Sequence, residues 1–220
     1  MLFIFDMGGV VTTTFEMNSI FKKLNLSHKD FDEISKNFGE NIWAQLETGK
    51  ITSEKFWFEF NKRIGILQRG ELDGFIQIGK DVHFTTDINF RNIQTFDYDL
   101  FRLYFHPELN IKTVETINLL KKNNRVVCGT NTIQSHWENH MERGDYSYFH
   151  QTYASNKIGI AKPDPEFFKR IMEAENATPE ETFFTDDKIE NCNAAASIGI
   201  NAIQFTTAEN LLKEWERYSK

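Results

Sequence analysis

The 220-residue chain is 40% apolar, 14% aromatic and 26% charged, which excludes a disordered or collagen-like polymer and suits one large domain or a core with a smaller insert. Lys and Arg number 25 against 32 Asp and Glu; the resulting net charge of −7 argues against a basic face for nucleic acid or a membrane surface. Two cysteines without close spacing, Cys128 and Cys192, support neither a disulfide framework nor a cysteine-rich zinc site, while 21 Phe predict an aromatic core.

The first residues, Met1-Leu2-Phe3-Ile4-Phe5-Asp6, reach a carboxylate too early for a signal peptide. No stretch approaches the roughly 18 uncharged apolar residues of a spanning helix. The expectation is a soluble protein of the cytoplasm. Leu2–Phe5 reads as a buried strand ending at Asp6-Met7-Gly8-Gly9, where glycine lets the backbone turn sharply. No strand is evident from Phe15 to about Gln77. Helical periodicity is clear in Glu54–Ile64, with Ser53 or Thr52 as N-cap and Gly49 and Gly65 bracketing the element. Between Lys80 and Phe105, two short strands are expected at Val82–Phe84 and Ile88–Phe90.

Helices follow at Ile111–Lys122, Pro165–Ala174, Asn191–Ile198 and Asn210–Tyr218. They alternate with strands at Val126–Cys128, Gln151–Ala154, Thr182–Phe184 and Ala202–Phe205. That alternation predicts βαβ units and a doubly wound parallel α/β sheet. The helical block interrupting it predicts an inserted cap. The expected division is a core of residues 1–14 and 96–220 with a helical cap of residues 15–95.

Parallel sheets gather ligands at the carboxyl ends of their strands. Three such ends carry reactive residue types: Asp6, Thr130 and the pair Asp186-Asp187. Lys162 lies in the loop Gly159-Ile160-Ala161-Lys162-Pro163 before a helix. Three carboxylates repel one another unless a cation joins them, and hard oxygen ligands suit Mg²⁺. A hydroxyl, loop N–H groups and an ammonium beside that ion suit a phosphoryl group.

The arrangement resembles the haloacid dehalogenase (HAD) superfamily along nearly the whole chain. Motif one reads Phe3-Ile4-Phe5-Asp6-Met7-Gly8-Gly9-Val10-Val11, motif two Val126-Val127-Cys128-Gly129-Thr130-Asn131, motif three Ala161-Lys162-Pro163-Asp164-Pro165 and motif four Phe183-Phe184-Thr185-Asp186-Asp187. Asn191, Ala194-Ala195 and Gly199-Ile200 also look like the family, and the insert resembles its C1 cap of subfamily I, with Leu46 to Thr52 as the cap signature. The resemblance implies a HAD-like Rossmannoid core and makes Asp6 a nucleophile that forms an aspartyl-phosphate. It implies Mg²⁺ held by Asp6, the Gly8 carbonyl, Asp186 and Asp187. Thr130, Asn131, Lys162 and the Gly8-Gly9 amides would hold the phosphoryl oxygens, with Lys162 balancing transition-state charge. The implied partner is a small phosphate monoester, a sugar phosphate or similar metabolite.

One position departs from the family. Gly8 stands where the second motif-one carboxylate, the general acid and base, is normally found. A glycine keeps the carbonyl for the metal but loses the proton donor, a group worth about 10²–10⁴ in rate. Two alternatives follow: a 2-haloacid dehalogenase, which needs neither the proton nor a metal, and a catalytically degenerate binding or regulatory protein. The acidic pair argues against the dehalogenase, which has no use for it. His136 and His140, four apart, could reach zinc from a helix, but Glu138 is misplaced for a His-Glu-x-x-His site. His106 and the run Thr12–Thr14 could each supply a substitute proton donor. The cap aromatics Trp43, Phe56 and Trp57 are expected to be cap core.

Overall fold

The computed structural model describes residues 1–69 and 90–218. In chain order the elements are β1 (Leu2–Phe5), α1 (Asn18–Leu24), α2 (His28–Asp32), α3 (Ile42–Glu47), α4 (Ser53–Arg69), α5 (Leu100–Tyr104), α6 (Ile111–Leu120), β2 (Arg125–Thr130), α7 (Gln134–Arg143), β3 (Gln151–Ala154), α8 (Ser155–Ile158), α9 (Pro165–Glu175), β4 (Thr182–Asp186), α10 (Ile189–Ala196), β5 (Asn201–Gln204) and α11 (Ala208–Tyr218). The chain divides into two compact units: Met1–Phe15 with His106–Thr132 and the chain from Trp137 onward, and Glu16–Phe105 with Ile133–His136.

The first unit is built on one sheet of order β3-β2-β1-β4-β5, every pairing parallel. β1 is central and wholly buried. Its side chains alternate between two cores, as the period of two demands. Phe3 and Phe5 join Val126, Cys128 and Phe183 against Val114, Ile117 and Leu120 of α6 and Leu211 of α11. Leu2 and Ile4 join Val127 and Phe184 against Phe167, Phe168 and Ile171 of α9 and Ala195 of α10. Helices therefore cover both faces, giving the doubly wound α/β fold. Full burial of each such Phe contributes about 1.5–3 kcal/mol, so the Phe-rich composition becomes the core. Gly129 marks a close approach: a Cβ there would lie 2.7 Å from Ile4 Cγ2 and 3.2 Å from Ile171 Cδ1.

In the described residues of the second unit every regular element is helical. Its core is aromatic, with Trp57 and Phe101 at 4.7 Å and Phe31 and Phe60 at 4.9 Å between ring centroids. Phe56 and Trp57 are buried there, and half-buried Trp43 packs on Phe31, Phe56 and Phe101. Arg63 is buried among them and donates to the carbonyls of Ile34 and Glu40, each at 2.6 Å.

Of the two N-cap candidates that the sequence offers for α4, Thr52 is the one used, accepting from Lys55 N–H at 3.1 Å. Gly65 does not end that helix, which runs on to Arg69 because Ile66 and Leu67 continue the buried stripe. The segment from Phe96 to Phe105, placed with the core by the sequence boundary at 96, packs with the helical unit. Asn61 donates to Phe96 O at 2.7 Å and Trp57 Nε1 to Asp99 at 3.1 Å. Of the two strands expected between 80 and 105, Val82–Phe84 and most of Ile88–Phe90 lie outside the described residues, and Phe90 opens a 3₁₀ turn, Phe90–Asn92. No helix among the described residues is long and apolar enough to cross a membrane.

Candidate active site

The register places Phe5 opposite Cys128 of β2 and Thr185 of β4. The next residues along these strands, Asp6, Gly129-Thr130 and Asp186-Asp187, therefore emerge together at the carboxyl edge of the sheet. Asp6 N–H donates to Thr185 O at 3.0 Å, which continues the ladder by one residue. The chain then turns at once. Val11 and Thr12 N–H both donate to Met7 O at 2.9 Å, and Gly9 N–H donates to Thr12 O at 2.8 Å. Gly9 has φ +80°, where a Cβ would be strained and would run into the Asp187 carboxylate. Gly8 is different: a Cβ there meets nothing within 4 Å.

Lys162 is buried and its ammonium bridges two of the carboxylates, 2.7 Å from Asp6 Oδ1 and 2.6 Å from Asp186 Oδ2. Asp186 also accepts from Asn191 Nδ2 at 2.9 Å and from Lys188 N–H at 2.9 Å. Oxygens of Asp6, Asp186 and Asp187 all lie within 4.8 Å of one another. Asp187 Oδ1 is buried and has no hydrogen-bond partner. A buried acceptor left unpaired costs free energy unless something joins it, and three hard oxygens at this spacing fit a divalent cation. Asp6, Asp186 and Asp187 are the residues that could hold it; among the described residues no other group of His, Cys, Asp or Glu has that spacing.

The electrostatics follow from burial. Desolvation pushes the Asp6 carboxyl up to about 6, with the Lys162 ammonium opposing and the Asp186 carboxylate assisting the rise. Asp187 is likewise raised, by desolvation first and then by Asp186. Burial alone would drive Lys162 down, but Asp6 and Asp186 outweigh it and hold the ammonium charged.

Thr130 is buried at the end of β2 and donates to Asn131 O at 3.3 Å. Asn131 turns its carboxamide onto the backbone of Lys162, donating to its carbonyl at 2.7 Å and accepting from its N–H at 2.8 Å. The sequence offered no signal for that contact, because the two residues are 31 apart and meet only through the winding of the sheet. It also left Asn191 without a role, although its spacing from the acidic pair carries it back along the first turns of α10.

The histidines of α7 and both cysteines are held in other contacts, and Cys192 Sγ donates to Asp186 O at 3.6 Å. His140 is buried and shares a 2.8 Å hydrogen bond with Asp145 Oδ2, and burial lowers its pKa. His136 stacks on Phe105 with ring centroids 3.7 Å apart. Neither histidine belongs to a metal-spaced group. Both cysteines are buried, and desolvation raises their thiol pKa values, that of Cys192 to about 11, so they stay protonated and unreactive at neutral pH.

A parallel α/β sheet with carboxylates, a lysine and a strand-end threonine gathered at one edge defines a hydrolase of the Rossmannoid class. The chain belongs to the haloacid dehalogenase-like hydrolases, whose family match spans residues 1–199. It is similar to a sesquiterpene phosphatase of Aspergillus oryzae, 27% identical over 205 residues that cover 92% of this chain and 88% of that protein. A HAD family enzyme of Bacteroides thetaiotaomicron, solved in complex with magnesium and inorganic phosphate, superposes with TM-score 0.63 at 24% identity, covering 93% of this chain and 92% of that one. A 2-haloacid dehalogenase of Pseudomonas syringae superposes with TM-score 0.62 at 13% identity, covering 99% and 98%. At these identities the two structural likenesses speak to the fold.

Proposed function

We propose that this protein is a Mg²⁺-dependent phosphatase that hydrolyses a small phosphate monoester through an aspartyl-phosphate on Asp6. The observation that carries the reading is the Asp6 carboxylate at the end of the central strand, grouped with Asp186 and Asp187 and paired with Lys162. The likenesses to a phosphatase and to an enzyme solved with magnesium and phosphate support it. Mg²⁺ held by Asp6, Asp186, Asp187 and the Gly8 carbonyl would offset the repulsion between carboxylate and phosphate.

The chain's own groups then do the following. An Asp6 carboxylate oxygen attacks phosphorus, the P–O bond to the leaving group breaks, and the leaving oxygen departs with the bonding pair. Lys162 balances the charge on the transferring group, and Thr130 with the Gly8-Gly9 amides orients its oxygens. Water then attacks phosphorus, releasing inorganic phosphate and restoring the carboxylate. The test is phosphate release from p-nitrophenyl phosphate, which should require Mg²⁺ and stop with EDTA. Haloacids and a panel of sugar and terpenyl phosphates belong in the same screen. Halide release indifferent to EDTA would replace this reading with the dehalogenase one. Binding of Mg²⁺ without turnover would favour the degenerate alternative that Gly8 suggests.

Gly8 shapes the expected selectivity. With no acid beside the leaving oxygen, substrates with good leaving groups should react far faster than alkyl phosphates. The space around Gly8 accepts a side chain. Gly8→Asp should therefore raise kcat/KM for an alkyl phosphate by about 10–10² relative to that for p-nitrophenyl phosphate. An unchanged ratio between the two substrates would contradict the account of the missing acid.

Metal binding has its own signature. The folded pKa of Asp6, about 6, lies above its usual 3.8. A carboxyl raised on folding withdraws stability as pH climbs through that window, unless a cation pairs with the ionised form. Mg²⁺ at ten times its Kd should raise the unfolding midpoint by about 3–6 °C at pH 7.5. The increment should shrink at pH 5, where protons compete, and should largely vanish in Asp187→Asn. Equal shifts at both pH values would refute the ligand set.

A further inference from the structure

We infer that Asn131 is a positioning residue for Lys162: its carboxamide fixes the backbone from which the ammonium reaches Asp6 and Asp186. The inference rests on the phosphatase reading for its kinetic consequence but not for its structural one. Lys162 sits in the irregular segment between α8 and α9, where no strand partner satisfies its peptide groups. Asn131, the first residue after β2, takes that partner's place. It accepts from Lys162 N–H at 2.8 Å and donates to Lys162 O at 2.7 Å, closing both backbone groups of one residue with one side chain.

The amide orientation is set by its partners, since a backbone N–H only donates and a carbonyl only accepts. Aspartate lacks the donor and serine lacks the second atom, so a carboxamide is the group that completes the pair. The consequence lies at the other end of the lysine. A four-carbon stem is flexible, and holding its tip between two carboxylates costs entropy unless the root is fixed as well. Here the root is tied to the end of β2, the neighbour of β1, from which Asp6 emerges. Ammonium and nucleophile are thus referred to adjacent strands of one sheet. The carboxamide points at protein backbone, and the phosphoryl contact expected of Asn131 from the family resemblance is not what these bonds serve.

Backbone amide hydrogen exchange at Lys162 tests the clamp directly. Asn131→Ala should speed that exchange at least tenfold, while Asn131→Asp, which keeps the acceptor and loses the donor, should leave it protected. Exchange at Lys162 unchanged in Asn131→Ala would overturn the clamp, whatever the activity. In turnover of p-nitrophenyl phosphate, Asn131→Ala should lower kcat by about 10–10², the scale of a small misplacement of a catalytic group, and leave KM within about threefold. It should add nothing to Lys162→Met, because a residue acting through Lys162 has no effect once the ammonium is gone. A raised KM and a raised Ki for inorganic phosphate with kcat intact would make Asn131 a phosphate contact instead. If the wild-type protein shows no turnover, the phosphatase reading falls while the exchange result still decides the clamp.

Discussion

Asp6→Asn should reduce phosphate release from p-nitrophenyl phosphate by about 10⁴-fold or more while the protein stays folded. An amide nitrogen shares its lone pair with the carbonyl, so the variant has no nucleophile to offer phosphorus. Its shape is conserved, and its carbonyl oxygen can still accept from the Lys162 ammonium that lies 2.7 Å from Asp6 Oδ1. Removing one of three neighbouring carboxylates also relieves repulsion, because Asp186 is one cause of the raised Asp6 pKa. Without metal at pH 7.5, the unfolding midpoint of the variant should therefore equal or exceed that of the wild type. The combination is diagnostic: lost activity with retained stability identifies chemistry, whereas joint loss would mean that Asp6 serves the fold. Residual turnover above about one per cent would contradict the aspartyl-phosphate route, since loss of a nucleophile is rarely so mild.

Lys162→Met should have the opposite balance. The ammonium is buried, and its two carboxylate partners lie within 2.7 Å. Methionine preserves the apolar stem beside the rings of Phe167 and Phe184 but leaves the carboxylates without their common cation. Breaking a buried ion pair from one side costs about 3–5 kcal/mol, because the partner charge stays desolvated. Urea unfolding at pH 7.5 without metal should show that loss, and Mg²⁺ should restore part of it. The deficit should narrow as pH falls, because without the Lys162 ammonium that lowers its pKa the Asp6 carboxyl protonates more readily than in the wild type and one stranded charge is removed. Turnover should drop by about 10²–10³, the usual effect of removing one electrostatic contact to a transition state. A variant as stable as the wild type at pH 7.5 would show that Lys162 is not the cation that neutralises this cluster.

The readability of the molecule varied along the chain for identifiable reasons. The strands were legible because a parallel sheet covered on both faces demands short, continuous apolar runs, and Leu2–Phe5 and Thr182–Phe184 are such runs. The helices α6, α9 and α11 were legible through apolar spacing and, for α9, through Pro165 at its start. The end of α4 is not legible, because Gly65 reads as a stop while the helix runs on to Arg69. Burial of Ile66 and Leu67 outweighs the modest penalty of an interior glycine. The links from Asn61 to Phe96 and from Trp57 to Asp99, which hold the segment from Phe96 to Phe105 to the helical unit, leave no periodic trace in the sequence.

From the sequence alone came the order of the motifs, the carboxylates with a lysine, and the absence of an acid at Gly8, since each is a matter of residue type beside an apolar run. Tertiary structure alone decided how those groups are partnered. It showed that Lys162 bridges Asp6 and Asp186, that Asp187 keeps an unpaired oxygen, that Gly8 has room beside it, and that Asn131 grips the Lys162 backbone. The physical reason is that hydrogen bonds and ion pairs depend on distances of a few ångströms. Strand register and crossover connections set those distances between residues far apart in the chain, and local residue pattern carries no record of them.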